Sequence, residues 1–202
     1  MNLPKAQRVG VFVDVQNMYY SARAMYGAKV NFKEVLKAAV KGRVLVRALA
    51  YVIRTEEVTR ETFFDALENI GFEIKAKDLQ IFVGGAKKGD WDVGIAMDAI
   101  ELAPRLDTVV LVSGDGDFAP LLDHLRRALG CRVEVVAFGK SASKQIKDIT
   151  DDFTDMDKNP RQFLIHGRTE SRPVGTRPMA AKPTGTRPIV AKPIGIKPTG
   201  TK

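Results

Sequence analysis

The sequence predicts an α/β domain built on a mostly parallel sheet with helices on both faces, followed by a basic, proline-rich tail. Three observations lead there. Strand-length apolar runs alternate with amphipathic helical patterns along residues 1–160. Those runs are apolar almost without interruption, as in strands buried on both faces. Beyond residue 160 the composition changes to a repeat that no sheet or helix tolerates.

The elements follow in order. Arg8–Asp14 (RVGVFVD) is a strand, and Asn17–Tyr26 and Phe32–Val40 are helices. Arg43–Ile53 is a long strand rich in branched residues. Glu57–Ile70 carries Phe63, Phe64, Leu67 and Ile70 at helical spacing, and Gly71 stops it. Phe72–Lys77 and Leu79–Val83 are short extended pieces. Trp91–Ala103 is helical and ends before Pro104. Thr108–Ser113 is a buried strand, Phe118–Leu129 a helix, Arg132–Phe138 a strand and Ser143–Asp151 a last helix.

The tail, residues 161–202, repeats a Lys/Arg-Pro pair every five residues, beginning at Arg172 and Pro173. Its glycines and prolines predict a disordered, partly extended chain. Of 32 Lys/Arg and 24 Asp/Glu, the tail holds nine basic residues and one acid, so residues 1–160 are neutral and the whole net charge of +8 lies on the tail. A neutral body with a basic arm suits an anionic partner. An anionic membrane surface is the weaker alternative, because the tail has no amphipathic helix.

Composition excludes several classes. A single cysteine, Cys131, allows neither an internal disulfide nor a cysteine zinc site. No run approaches the ~18 apolar residues of a membrane span. The first apolar run contains Gly10 and ends at Asp14, so no signal peptide is expected and the predicted location is cytoplasmic. Phosphate-binding P-loops, GxGxxG signatures and serine nucleophile elbows are absent.

The informative residues are acids. In a parallel α/β sheet the chemistry lies at the carboxyl ends of the strands. The first strand ends in Asp14, with Asn17 close behind, and the Thr108–Ser113 run leads into Gly114-Asp115-Gly116-Asp117. Asp92 and Asp98 lie on the Trp91–Ala103 helix, Asp98 about 120° round from Asp92. That helix is apolar nearly all round, which predicts a buried helix and a buried Asp98 needing a cation, donors or a metal. Carboxylates without His or Cys suit magnesium or manganese. Structural roles compete: Asn17 and Asp117 serve equally as helix caps, Asp92 as the complement of a helix N-terminus, and Asp98 as half of a buried salt bridge. Lys87 and Lys88 suit a phosphate or a solvated loop, and Arg54, past a strand end, suits substrate or open surface. Trp91 and Cys131 are expected to pack, and neither His124 nor His166 is placed as a general base.

The segments VFVDVQN, KKGDWDVGIAMDAIEL, VVLVSGDGDFAPLL and VEVVAFGKSASKQI resemble, in order and spacing, the NYN domain family, the LabA-like branch of the PIN-like nuclease superfamily. The resemblance covers about residues 7–157. It implies a PIN-like three-layer α/β/α sandwich and a metal-dependent nuclease acting mostly on RNA. Carried over by motif, Asp14 and Asn17 match D-x-x-N, Asp92 and Asp98 the acidic helix, and Asp115 and Asp117 S-x-D-x-D-F; Val15 stands where many relatives have glycine. On this resemblance Mg2+ or Mn2+ held by Asp14, Asp92 and Asp115 activates water, with Asp98 and Asp117 binding a second ion or orienting water, and Asn17 and Ser113 positioning water or phosphate. Single-stranded RNA is the expected partner, gripped by Ser113, Lys88, Arg54 and the tail cations Arg172, Arg177, Lys182, Arg187, Lys192 and Lys197. A homo-oligomer is compatible with the sequence. The competing reading is a non-catalytic RNA-binding or protein-binding regulator. A phosphatase with a nucleophilic Asp14 is disfavoured, because Gln16 stands where its second aspartate is needed.

Overall fold

The computed structural model describes residues 5–54, 61–81, 87–88 and 90–165 of the 202-residue chain. The chain runs β1 (Arg8–Asp14), α1 (Val15–Tyr26), β2 (Lys29–Val30), α2 (Phe32–Val40), β3 (Val44–Arg54), α3 (Glu61–Ile70) and β4 (Glu73–Asp78). It continues through β5 (Gln80–Ile81), β6 (Lys87–Lys88), α4 (Asp92–Leu102), β7 (Thr108–Val112), α5 (Ala119–Arg127) and β8 (Arg132–Ala137). The last elements are α6 (Lys144–Ile149), β9 (Asp152–Asp155), α7 (Pro160–Phe163) and β10 (Leu164–Ile165).

Six strands form one sheet in the order β4-β3-β1-β7-β8-β9, and every pairing in it is parallel. Parallel neighbours need crossovers, and the intervening helices supply them. All five residues of β7 are buried, so both faces of the sheet centre are covered. Its apolar side chains join those of β1, β3 and β8 in one core with Met18, Val35, Leu67, Ile95, Leu122 and Ile146 from the helices. Burying a leucine or isoleucine of this kind contributes on the order of 2 kcal/mol.

The order defines the working edge. From β1 the sheet grows one way through β3 and β4, and the other way through β7, β8 and β9. The reversal lies between β1 and β7, at whose carboxyl ends an open α/β sheet forms its ligand crevice.

At the opposite end of the strands lies a polar network. Arg43, buried before β3, donates to both carboxylate oxygens of buried Glu134 at 3.0 and 2.9 Å, and to the Ala39 carbonyl at 2.7 Å. Arg132 and Lys41 also bond Glu134, at 2.9 and 3.1 Å. Lys41 holds a left-handed φ of 51°, unusual for a side chain with a Cβ. That conformation caps α2, and the Lys41 ammonium is spent on Glu134 and Asp152.

Two expectations need correction, and one strand lies where no element is expected. The helix α4 is not buried all round: Val93 and Met97 are 72% and 62% exposed, while Ile95, Ala99 and Leu102 are buried and Ala96 packs against the core. Apolar composition concealed a one-sided helix. The acid-bearing segment Asp152–Asp155 is a sixth parallel strand, because pairing with β8 outweighs its poor β propensity. Residues 161–165, assigned to the tail by composition, belong to the fold. Phe163 and Leu164 are buried, and β10 pairs antiparallel with β2. Residues 57–60, 82–83, His166 and the tail cations lie outside the described residues. No helix among the described residues is long and apolar enough to cross a membrane.

Candidate metal centre

β1 delivers Asp14 to the switch point, where it also begins α1. Its Oδ1 accepts the Asn17 N–H at 3.0 Å, so the N-cap of α1 is Asp14 rather than Asn17. The Asn17 side chain is thereby free for another task. Its Oδ1 accepts the Gly114 N–H at 3.0 Å, tying the start of α1 to the loop after β7.

That loop is held by its own polar groups. The Ser113 hydroxyl donates to Asp14 Oδ2 at 3.4 Å and accepts the Asp115 N–H at 3.2 Å. Asp115 Oδ1 accepts the Asp117 N–H at 3.0 Å and opens a 3-10 turn, Gly116–Phe118. Close approach requires a glycine at 114. A Cβ there would stand 3.0 Å from Ala142 Cα, and the Gly114 carbonyl accepts the Ser143 N–H at 3.0 Å. The acidic loop is therefore clamped between α1 and the start of α6.

Asp92, the first residue of α4, completes the group. One carboxylate oxygen from each of Asp92, Asp115 and Asp117 lies within 4.8 Å of the others. Two oxygens on opposite sides of one magnesium ion are roughly 4.2 Å apart. An all-oxygen set at this spacing thus fits a hard divalent cation after small side-chain adjustment. Electrostatics agree. Burial, offset partly by the Asn17 N–H and aided by the charges of Asp92 and Asp115, pushes Asp14 up to about 6. Burial and the charges of Asp90, Asp115 and Asp117 raise Asp92, against the pull of Lys77. Carboxylates strained in this way are relieved by a cation.

Other candidates lie elsewhere. Neither Asp14 nor Asp98 is among the close oxygens: Asp14 lies beside the group with its own oxygens on the Asn17 N–H and the Ser113 hydroxyl, and Asp98 stands apart. It receives the Tyr51 hydroxyl at 2.6 Å and Lys75 Nζ at 2.7 Å, so its half-buried charge is balanced by a salt bridge. Ser113 is fully buried, its hydroxyl spent between Asp14 and Asp115, and it is an internal strut rather than a surface for phosphate. Arg54, the last residue of β3, pairs with Asp78 at 3.3 Å across the strand pair. Lys88 lies in β6, with its side chain outside the described residues. Trp91 packs, as expected: its indole N–H donates to the Val52 carbonyl at 2.9 Å. The residue that composition and motif overlook is Lys77, near the end of β4, whose charge is felt at Asp92.

The family model of the NYN domain matches residues 8–157, which span every one of these acids. The chain belongs to the NYN domain family. It is 27% identical over 185 residues to the low amplitude and bright protein LabA of Synechococcus elongatus, covering 88% of this chain and 97% of that protein. It also resembles the crystal structure of a protein of unknown function, VPA0982, from Vibrio parahaemolyticus. There the TM-score is 0.72 at 34% identity, over 82% of this chain and all of the other. Within the NYN domain of this chain, Asp92, Asp115 and Asp117 form a candidate divalent-metal site.

Proposed function

We propose that this NYN domain protein is a metal-dependent ribonuclease that hydrolyses RNA phosphodiester bonds at the crevice between β1 and β7. The observation that carries the reading is the convergence of Asp92, Asp115 and Asp117 oxygens within 4.8 Å, with Asp14 beside them at the sheet's switch point. Asp92, Asp115 and Asp117 would hold Mg2+ or Mn2+, with Asp14 beside them as a further ligand. When bound, the ion supplies Lewis acidity and a water acidic enough to attack a phosphodiester at neutral pH.

The chain's own residues prepare the site. Asn17 and Ser113 fix the loop through Gly114 and Asp115, so the acids are positioned before substrate arrives. Asp117, the exposed member, stands at the rim where a strand enters. Asp14 is partly buried at the end of β1, where reduced solvation strengthens its charge interactions. The exposed His124 lies outside this arrangement on α5, and no histidine base is needed. The tail cations Arg172, Arg177, Lys182, Arg187, Lys192 and Lys197 act as a sequence-independent tether for the same polyanion.

The test compares cleavage of labelled single-stranded RNA and DNA by the wild type and Asp14→Asn in manganese, magnesium and EDTA. Metal-dependent cleavage that is lost in Asp14→Asn, and greater on RNA, is the expected result. RNA binding without cleavage in either metal overturns the enzyme and leaves a regulatory RNA-binding domain.

A further inference from the structure

Lys75 and Lys77 are two residues apart on β4, so both point to the same face of the sheet, the side on which α4 lies. The first is neutralised: its ammonium bonds both oxygens of Asp98, at 2.7 and 2.6 Å. The second has no carboxylate at ion-pair distance among the described residues. Its Nζ rests instead 4.5 Å from the centre of the Trp91 ring.

That indole is held on three sides. Its N–H is spent on the Val52 carbonyl at 2.9 Å. The Tyr51 ring meets it edge-on, with centroids 5.5 Å apart. Its benzo edge lies where a Cβ on Gly94 would come within 2.5 Å, so the glycine in the first turn of α4 makes the slot it occupies. Trp91 directly precedes Asp92, and Lys77 acts on the charge of Asp92. A cation is thus fixed at the edge of an acidic crevice by an aromatic face. Such a face attracts the charge but leaves the N–H donors uncommitted. A polyanion approaching four aspartates needs a counter-charge of this kind at the rim.

We propose that Lys77, seated on the Trp91 indole, binds a backbone phosphate of the nucleic-acid strand next to the scissile bond and sets that strand in the crevice. The inference rests on the nuclease reading above and assigns its first fixed phosphate contact on the body of the domain. Because the contact is to phosphate, it acts equally on RNA and DNA and carries no sequence preference.

The test uses the full chain and a short labelled single-stranded RNA. Steady-state cleavage and binding in EDTA, across about 50 to 200 mM salt, are measured for the wild type, Lys77→Gln and Lys77→Arg. Lys77→Gln is expected to raise KM about tenfold with kcat changed by less than about twofold. It is also expected to reduce the slope of log affinity against log salt by about 0.7, one contact on a single strand. Lys77→Arg restores both. A Lys77→Gln protein with wild-type KM and slope overturns the proposal. So does a Lys77→Arg protein as defective as Lys77→Gln, which would make the residue a packing partner of Trp91. If the wild type cleaves no nucleic acid, the nuclease reading fails by itself, and the salt slope still decides whether Lys77 touches phosphate.

Discussion

The side-chain oxygen of Asn17 accepts the Gly114 N–H at 3.0 Å, joining the exit of β1 to the exit of β7 across the switch point. This bond orients the loop that presents Asp115 and Asp117, while touching neither. Asn17→Ala is therefore expected to weaken manganese binding by about tenfold, as loss of a ligand-orienting partner does. The orphaned Gly114 N–H costs about 1–3 kcal/mol of stability at most. Calorimetric titration of manganese, beside a thermal melt, separates the two effects.

Asp14 makes the metal-free protein respond to acid in an unusual direction. Its folded value is raised from 3.8 to about 6, chiefly by burial. Between those values the folded state binds more protons than the unfolded one, so this residue adds stability as pH falls through 6 towards 4 and removes it as pH rises. Asp14→Asn keeps an N-cap acceptor without the charge. Metal-free Asp14→Asn is expected to be about 1–2 kcal/mol more stable than the wild type at pH 7.5, and no more stable at pH 4. Urea unfolding in EDTA at the two pH values measures it. The same substitution is expected to abolish the proposed metal-dependent activity, an exchange of stability for function.

Glu134 has the opposite sign. Burial pushes its carboxyl up, but the hydrogen bonds of Arg43 and Arg132 and the charge of Lys41 outweigh burial and bring it below its ordinary value of 4.5. Its contribution is present above about pH 4.5 and is lost as pH falls through the lowered folded value. Glu134→Ala leaves the buried Arg43 guanidinium unpaired and is expected to cost about 3–5 kcal/mol. Chemical denaturation at pH 7 gives that difference, and it should shrink on acidification.

The site of truncation decides what is learned about the tail. Cutting after Asp157 removes Phe163 and Leu164 from the core and the β10 partner of β2, so it destabilises the body. Cutting after Ile165 removes eight Lys/Arg and one Glu and leaves every described element intact. The shorter chain is expected to bind single-stranded RNA with a flatter salt dependence, losing about 0.7 of slope for each phosphate contact the tail makes. Cleavage of saturating short RNA should persist. A salt slope equal to that of the full chain would remove the tether from the account.

Periodicity was enough for β1 and α2, whose boundaries in the structure match the apolar runs residue for residue. It was enough also to place Asp14 and Asp115 on one edge, since two buried parallel strands deliver their following residues there. Asp98 shows where it stops. Its partners Tyr51 and Lys75 come from strands 47 and 23 residues away, and no local pattern announces such pairs. Lys77 is hidden in the sequence for a related reason. A lysine near a strand end looks like open surface until an indole from another element is laid beneath it. β9 escaped because an edge strand is specified by its neighbour's unpaired backbone more than by its own residues.

The central position of β1 also governs how the molecule assembles. The first strand of this sheet in chain order pairs on one side with β3 but on the other with β7, about a hundred residues later. Until residue 112 has been made, the growing chain carries β1 as a bare, apolar sheet edge. Closing so distant a pairing is slow compared with forming helices, which predicts folding in milliseconds to seconds rather than microseconds. The acidic loop follows β7 directly, so the site comes into being in the step that retires this edge. Fragments that end before that step hold Asp14 and Asp92 without their partners, and they present a surface suited to aggregation.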